Sequence, residues 1–155
     1  MSVPDILLLV EDPNWKKTRG LVPRLKRAAA TALAGSGLKG RSALTIVLSS
    51  DRKLRALNHD FRGKDKPTNV LSFPAPANED GYRGDVAIAF GIAKKEAKAA
   101  GKSVADHAAH LVVHGVLHLA GYDHEKPRDA KVMEPLEVKI LAKLGIADPY
   151  ETAEP

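Results

Sequence analysis

The sequence predicts an α+β fold: a single domain with a small mixed central sheet of about four strands, packed by helices. Two observations carry this. Apolar runs of strand length stand at 6–10, 44–48, 70–73 and 85–90. Between and after them lie longer stretches with helical apolar spacing, opened by Ser, Asp or Pro and closed by Gly. There is no internal repeat, low-complexity tract or change of composition to mark a second unit, and 155 residues is the size of one ordinary domain. Residues 1–150 are therefore read as the domain and 151–155 as a tail.

Each element follows in order. Ile6–Val10 reads as a buried strand. Asp12-Pro13 starts a mostly helical stretch to Ala34, with a break near Leu21 imposed by Gly20 and Pro23. Leu44–Leu48, with Thr45 and Val47, is the best candidate for a central strand. Asp51 caps a helix through Leu54 and Leu57 to about Phe61. Residues 62–69 form a polar, turn-rich loop. Val70–Phe73 and Asp85–Phe90 are short strands joined through Pro74-Ala75-Pro76 and Gly84. Three helices finish the chain. The first runs from Ile92 to about Ala100 and the second from Ser103 to Ala120, with Ser103 and Asp106 in a cap-like spacing and Gly121 as the stop. The last runs from about Ala130 to Leu144 and ends at Gly145.

Composition narrows the chemistry. With no cysteine, disulfides and thiolate metal sites are excluded, so any metal is held by histidine or oxygen. Ile6–Val10 is too short, and too acidic at its flanks, for a leader or a membrane span, and a cytoplasmic protein is expected. Net charge is +5, unevenly spread. Residues 1–66 hold 14 Lys and Arg against 6 Asp and Glu, a net +8; residues 67–155 hold 10 against 13, a net −3. A basic half suits a polyanionic partner, because phosphate neutralisation releases counterions. A solvated basic face kept for solubility is the plain alternative.

The stretch 108–120 contains no charged residue, yet carries His110, His114 and His118. A helix apolar nearly all round lies in the interior, where each imidazole needs a hydrogen bond or a metal. His114 and His118, four apart, project from one helix face a turn from each other, a bite suited to a single zinc ion. A third ligand on the same helix lies out of reach, so the chain must reverse; Gly121 permits the turn and His124 follows it. Three neutral nitrogens leave zinc with an open position, the pattern of a catalytic site. His110 is read as a core residue or a partner orienting a ligand ring, His107 as a surface or cleft residue, and His59 as bland.

The same histidine frame occurs in metzincin proteases, where Glu follows the first ligand as general base. Here that position is Gly115, which takes no proton, so peptide hydrolysis by that route is disfavoured. A base must come from elsewhere, with Asp85 and Asp123 as candidates by chemistry alone; Asp123 could equally orient a ligand imidazole. The loop from Arg62 through Lys64 and Lys66 to Pro67-Thr68-Asn69 is rich in donors. Its arginine can grip a phosphate with two bonds and stabilise growing charge. Taken alone, such a loop is better read as a solvated turn.

With both stretches in view, the chain resembles the bacterial YbeY proteins, zinc endoribonucleases of ribosomal RNA maturation and ribosome quality control. The resemblance rests on His114-Gly-Val-Leu-His118-Leu-Ala-Gly-Tyr-Asp-His124 and on Phe61-Arg-Gly-Lys-Asp-Lys-Pro-Thr-Asn-Val-Leu-Ser-Phe-Pro74. Gly84-Asp85-Val86 and Leu144-Gly-Ile-Ala-Asp-Pro-Tyr150 also fit, and the quoted positions show no departure. The first forty residues match only in general character. The resemblance implies a zincin-like fold, one zinc ion on His114, His118 and His124, and Arg62 as the catalytically important arginine. It also implies single-stranded RNA as substrate, including the 3′ end of the small-subunit ribosomal RNA. Arg62, Lys64 and Lys66 are then RNA-binding residues, and the small ribosomal subunit is a partner; neither DNA nor a membrane is expected.

The leading reading is thus a zinc-dependent RNA hydrolase, with water or the ribose 2′-hydroxyl as nucleophile. Two others stand beside it: a ribosome-associated assembly factor that binds RNA around a structural zinc, and a zinc peptidase, which Gly115 disfavours.

Overall fold

A computed structural model describes residues 4–150, so the proposed tail lies outside the described residues. The chain runs β1 (Asp5–Val10), a 3-10 helix (Pro13–Lys17), α1 (Leu21–Gly35), β2 (Ala43–Ser49), α2 (Asp51–Arg62), β3 (Val70–Pro74), β4 (Tyr82–Ala89), α3 (Phe90–Ala100), α4 (Val104–Leu119) and α5 (Pro127–Lys143). The sheet order is β1-β2-β4-β3. β2 is parallel to both neighbours, and β3 returns antiparallel on β4, so the four-stranded sheet is mixed and the class is α+β as expected.

β2 lies between two parallel neighbours, which is why Leu44, Ile46 and Leu48 are buried on one side while Thr45 is covered on the other. The main core fills the space between this sheet and α1, α4 and α5. Val86 and Ile88 of β4 point into it, whereas Ala87 and Ala89, alternating with them, point the other way into a smaller core under Leu54 of α2. Trp15, fully buried, donates from its indole nitrogen to the Ser49 carbonyl at 2.9 Å and meets Phe90 edge-on, closing the main core at one end.

Several boundaries differ from the sequence reading, each for a physical reason. Ile6–Val10 is a strand, but an edge strand: Leu7 and Leu9 are 57% and 46% exposed. A continuous apolar run does not by itself distinguish a centre from an edge. The stretch after Asp12 does break where expected, α1 starting at Leu21 behind Gly20, whose φ of 66° lies in the left-handed region, but its first part is only a 3-10 turn. The cap of α2 is Ser50, whose hydroxyl accepts from the Lys53 amide. Asp51 instead accepts from the Ile92 amide at 3.0 Å and so ties α2 to the start of α3. β4 begins at Tyr82, earlier than read, and α5 begins at Pro127 and continues through Pro135.

One contact sets the distance between α4 and the sheet. A Cβ on Gly115 would stand 2.5 Å from Val86 Cγ1 and 3.2 Å from the Ser72 hydroxyl, which donates to the Gly115 carbonyl at 3.0 Å. Val86 is β-branched and held in a strand, so it has little freedom to yield. Gly115→Ala is therefore expected to lower unfolding free energy by roughly 1–3 kcal/mol through overpacking. Urea denaturation of the variant checks this, and wild-type stability would show that the interlayer gap is slack.

Candidate metal centre

α4 forms where it does because its face toward the core is apolar and Ser103 caps it, the hydroxyl accepting from the Asp106 amide at 3.1 Å. It ends in a Schellman turn. Tyr122 donates its amide to the Leu117 carbonyl, Gly121 donates to His118, and Gly121 takes a φ of 100°. The Tyr122 hydroxyl then bonds the Ser36 carbonyl at 2.9 Å, pinning the return to the end of α1. The chain reverses within these residues and brings His124 back over His114 and His118.

The three rings form a nearly equilateral group, with centroids 4.7, 4.8 and 4.9 Å apart. One nitrogen from each lies within 4.8 Å of the others. His114 Nε2 and His118 Nε2 face each other at 3.1 Å. Two imidazoles on one tetrahedral ion, with bonds of about 2.0–2.1 Å, place their nitrogens about 3.3 Å apart, so the pair has the bite a zinc-like cation needs.

Glu137 of α5 decides which nitrogen of His114 is free. It is fully buried, and Oε2 lies 2.8 Å from His114 Nδ1. A carboxylate only accepts, so Nδ1 carries the proton and Nε2 presents a bare lone pair to the other rings. The Tyr150 hydroxyl donates to the opposite carboxylate oxygen, and His110 Nε2 stands 3.6 Å from Oε2. Burial alone would raise the Glu137 pKa. Hydrogen bonding from His110, His114 and Tyr150 outweighs it and holds the group at about 2. Burial, and then the hydrogen bond to Glu137, raises the Tyr150 phenol. Burial, followed by the neighbouring His114 and His124, lowers His118 below an ordinary histidine and favours the neutral form that binds metal.

These rings stand in the wall of a cavity of about 490 Å³ that Arg62, Asn69, Ser72 and Asp123 also line. Arg62 is the last residue of α2, and Gly63 behind it adopts φ 67° to end the helix. Its side chain is exposed, and among the described residues no carboxylate pairs with it. A cation site facing a free guanidinium across one cavity can hold and polarise a phosphodiester.

Other expected residues fall elsewhere. Asp123 lines the cavity but spends its carboxylate on the amides of His124, at 2.7 Å, and Glu125. Those backbone bonds lower its pKa, which suits a turn-former better than a base. Asp85 is not brought to the site. It pairs in register with Thr45 and Phe73, takes a hydrogen bond from Tyr82, and projects from the sheet face opposite α4. His107 is buried, with Nε2 2.8 Å from Glu96 of α3, because α3 packs over the start of α4; it is not a surface residue. Lys64 and Lys66 line a neighbouring cleft that shares Arg62, rather than the metal cavity. Glu137 and Tyr150 were missed. Glu137 had a legible signal, a lone acid in the apolar stripe of Met133, Ile140, Leu141 and Leu144. Tyr150 had none.

Comparison with known proteins agrees with this geometry. A family model described as Endoribonuclease YbeY matches residues 12–145. Among curated relatives, an Endoribonuclease YbeY of Alkalilimnicola ehrlichii is 51% identical over 142 residues, covering 87% of this chain and 86% of its own. One of Maricaulis maris is 40% identical over 148 residues, covering 96% and 92%. A solution structure of a Thermotoga maritima protein superposes with a TM-score of 0.61 at 27% identity, covering 95% and 99% of the two chains.

Two outcomes test the centre. Glu137→Gln should weaken divalent-metal binding about 10–100-fold, measured by competition with a chelating dye. Unchanged affinity would remove Glu137 from the site. The pH dependence has a definite sign. Glu137 titrates lower in the folded chain than the ordinary carboxyl value of about 4.3, so its stabilisation is complete above that pH and is lost as pH falls toward 2. The stability difference between wild type and Glu137→Gln, both metal-stripped, should therefore shrink over that window.

Proposed function

Because the chain belongs to the YbeY endoribonuclease family, we propose that it is a zinc-dependent, single-strand-specific endoribonuclease acting in ribosomal RNA maturation, at the 3′ end of the small-subunit RNA, and in ribosome quality control. The observation that carries this reading is the convergence of His114, His118 and His124 opposite the unpaired Arg62 across one cavity. In the reading, the three imidazoles hold one zinc ion. When bound, that ion supplies a Lewis acid for a phosphoryl oxygen or for the attacking water.

The chain's own residues do the rest. Glu137 keeps the His114 proton on Nδ1, away from the metal side. Arg62 grips the non-bridging oxygens of the scissile phosphate and offsets the charge that grows as the new bond forms. His114 and His118 lie half-buried within the cavity wall, and His124 is exposed at its rim. A phosphate reaches the two recessed rings more easily from an unpaired strand than from a stacked helix, which favours unpaired RNA, and the family's place in ribosomal RNA maturation makes the small ribosomal subunit the partner in this reading. The cytoplasm is the compartment such a substrate requires. No helix among the described residues is long and apolar enough to cross a membrane.

Purified wild type and His114→Ala, compared on labelled single-stranded RNA, test the reading. The variant is expected to lose both zinc and cleavage, and full cleavage by a zinc-free preparation would overturn the mechanism. Arg62→Ala should keep its zinc and lose about 10²-fold or more in kcat. A wild-type rate would take the arginine out of the chemistry. Product ends carrying a cyclic phosphate would identify the 2′-hydroxyl as nucleophile.

A further inference from the structure

We infer that Asn69 determines sugar specificity at the metal centre: its side-chain carbonyl accepts from a ribose 2′-hydroxyl beside the scissile phosphate, and Glu96 fixes its orientation. This rests on the ribonuclease reading above. Asn69 is half-buried, stands immediately before β3 and lines the metal cavity together with Arg62, His114 and His118. Its main chain is fastened, the carbonyl accepting from the Ala89 amide at the end of β4 at 3.0 Å.

The direction of the carboxamide follows from its partner. The Asn69 side-chain nitrogen lies 3.1 and 3.3 Å from the two Glu96 oxygens. A carboxylate only accepts, so the NH2 end of Asn69 faces Glu96 and the carbonyl oxygen turns away from it. Glu96 lines the neighbouring cleft and not the metal cavity. The donor of Asn69 is spent on the cleft side, and its acceptor is left for the cavity. Among the described residues, no group donates to that oxygen.

Glu96 is itself held. His107 of α4 is buried, and its Nε2 lies 2.8 Å from Glu96 Oε1. The contact crosses from α4 to α3, so the packing of two helices fixes Glu96, and Glu96 fixes the carboxamide, before any substrate arrives.

An acceptor selects its ligand by exclusion. Phosphodiester oxygens also only accept, so Asn69 adds nothing to the phosphate grip of Arg62 and needs a proton donor instead. The group next to a held phosphate is its sugar, and the 2′-hydroxyl is the donor that RNA has and DNA lacks. A site built to bond a hydroxyl rejects the analogue without it, because the acceptor is then left unpaired.

The test walks one 2′-deoxy nucleotide through a single-stranded RNA cut at one linkage, using zinc-loaded protein. Each strand is read by kcat/KM. At the cleaved nucleotide, whose hydroxyl could be the nucleophile, the deoxy strand is read by its inhibition constant. Wild type is expected to lose about tenfold at one position, the worth of a hydrogen bond. In Asn69→Ala that loss should fall within about twofold, with penalties elsewhere in the strand unchanged. Glu96→Gln offers Asn69 either a donor or an acceptor, frees the carboxamide to turn and should reduce the penalty to about threefold. Asn69→Asp/Glu96→Gln reverses the bond, keeps an acceptor toward the cavity and should restore the full ratio; this pair and Glu96→Gln carry the test if Asn69→Ala fails to fold. A purely structural contact would lower melting temperature and slow ribo and deoxy strands alike, leaving the ratio untouched. A flat walk in wild type, an undiminished ratio in Asn69→Ala, or a penalty that follows removal of a base amine instead of the hydroxyl would overturn the assignment. Wild type that cuts no RNA at all would overturn the ribonuclease reading itself, a separable result.

Discussion

The hydrogen bond between Glu137 and His114 is the constraint on which the rest of the site depends. It joins the last helix to the metal-binding helix inside the core, where a carboxylate left alone would be expelled or neutralised. The site answers this with two imidazoles and a phenol, so the anion stays charged and the ligand ring stays in one tautomer. That arrangement requires α5 to pack on α4 and the chain beyond α5 to fold back far enough for Tyr150 to reach the second oxygen. The terminal region is therefore part of the metal centre as much as the histidine helix is.

Much of the site was legible in the sequence because its parts are close in the chain. His114, His118, Gly121 and His124 lie within one helix end and one turn, and local geometry alone brings them together. Arg62 was singled out through its donor-rich motif and the family resemblance, although it ends α2 instead of lying in the loop. What spacing could not supply was partnership across the fold. Glu137 meets His114 only because two helices pack, and Glu96 meets His107 for the same reason. Asp85 was a candidate base by chemistry alone, and strand register places it on the far face, where alternation, not chemistry, decides. The apolar run of β1 likewise gave its type but not its place at the sheet edge.

The basic half of the sequence acquires a location in three dimensions. Its cations do not spread evenly. Arg55 is paired with Asp65 and Arg41 with Asp5, while Arg62, Lys64 and Lys66 make no ion pair among the described residues. Selective neutralisation of the neighbours, more than the total charge, gives this surface its direction. A net charge of +5 gives only the total; the pairing pattern shows where on the surface the unpaired cations lie.

Gly115 also bears on which chemistry this helix can host. In metalloproteases of similar histidine spacing the equivalent position holds the glutamate of peptide cleavage, yet here a Cβ would already crowd Val86 and the Ser72 hydroxyl. A glutamate grafted at this position would have to push the helix away from the strands, and His114 and His118, carried on the same helix, would move with it. The closeness of two layers thus bars a proteolytic base from the place where the histidine spacing alone would put it.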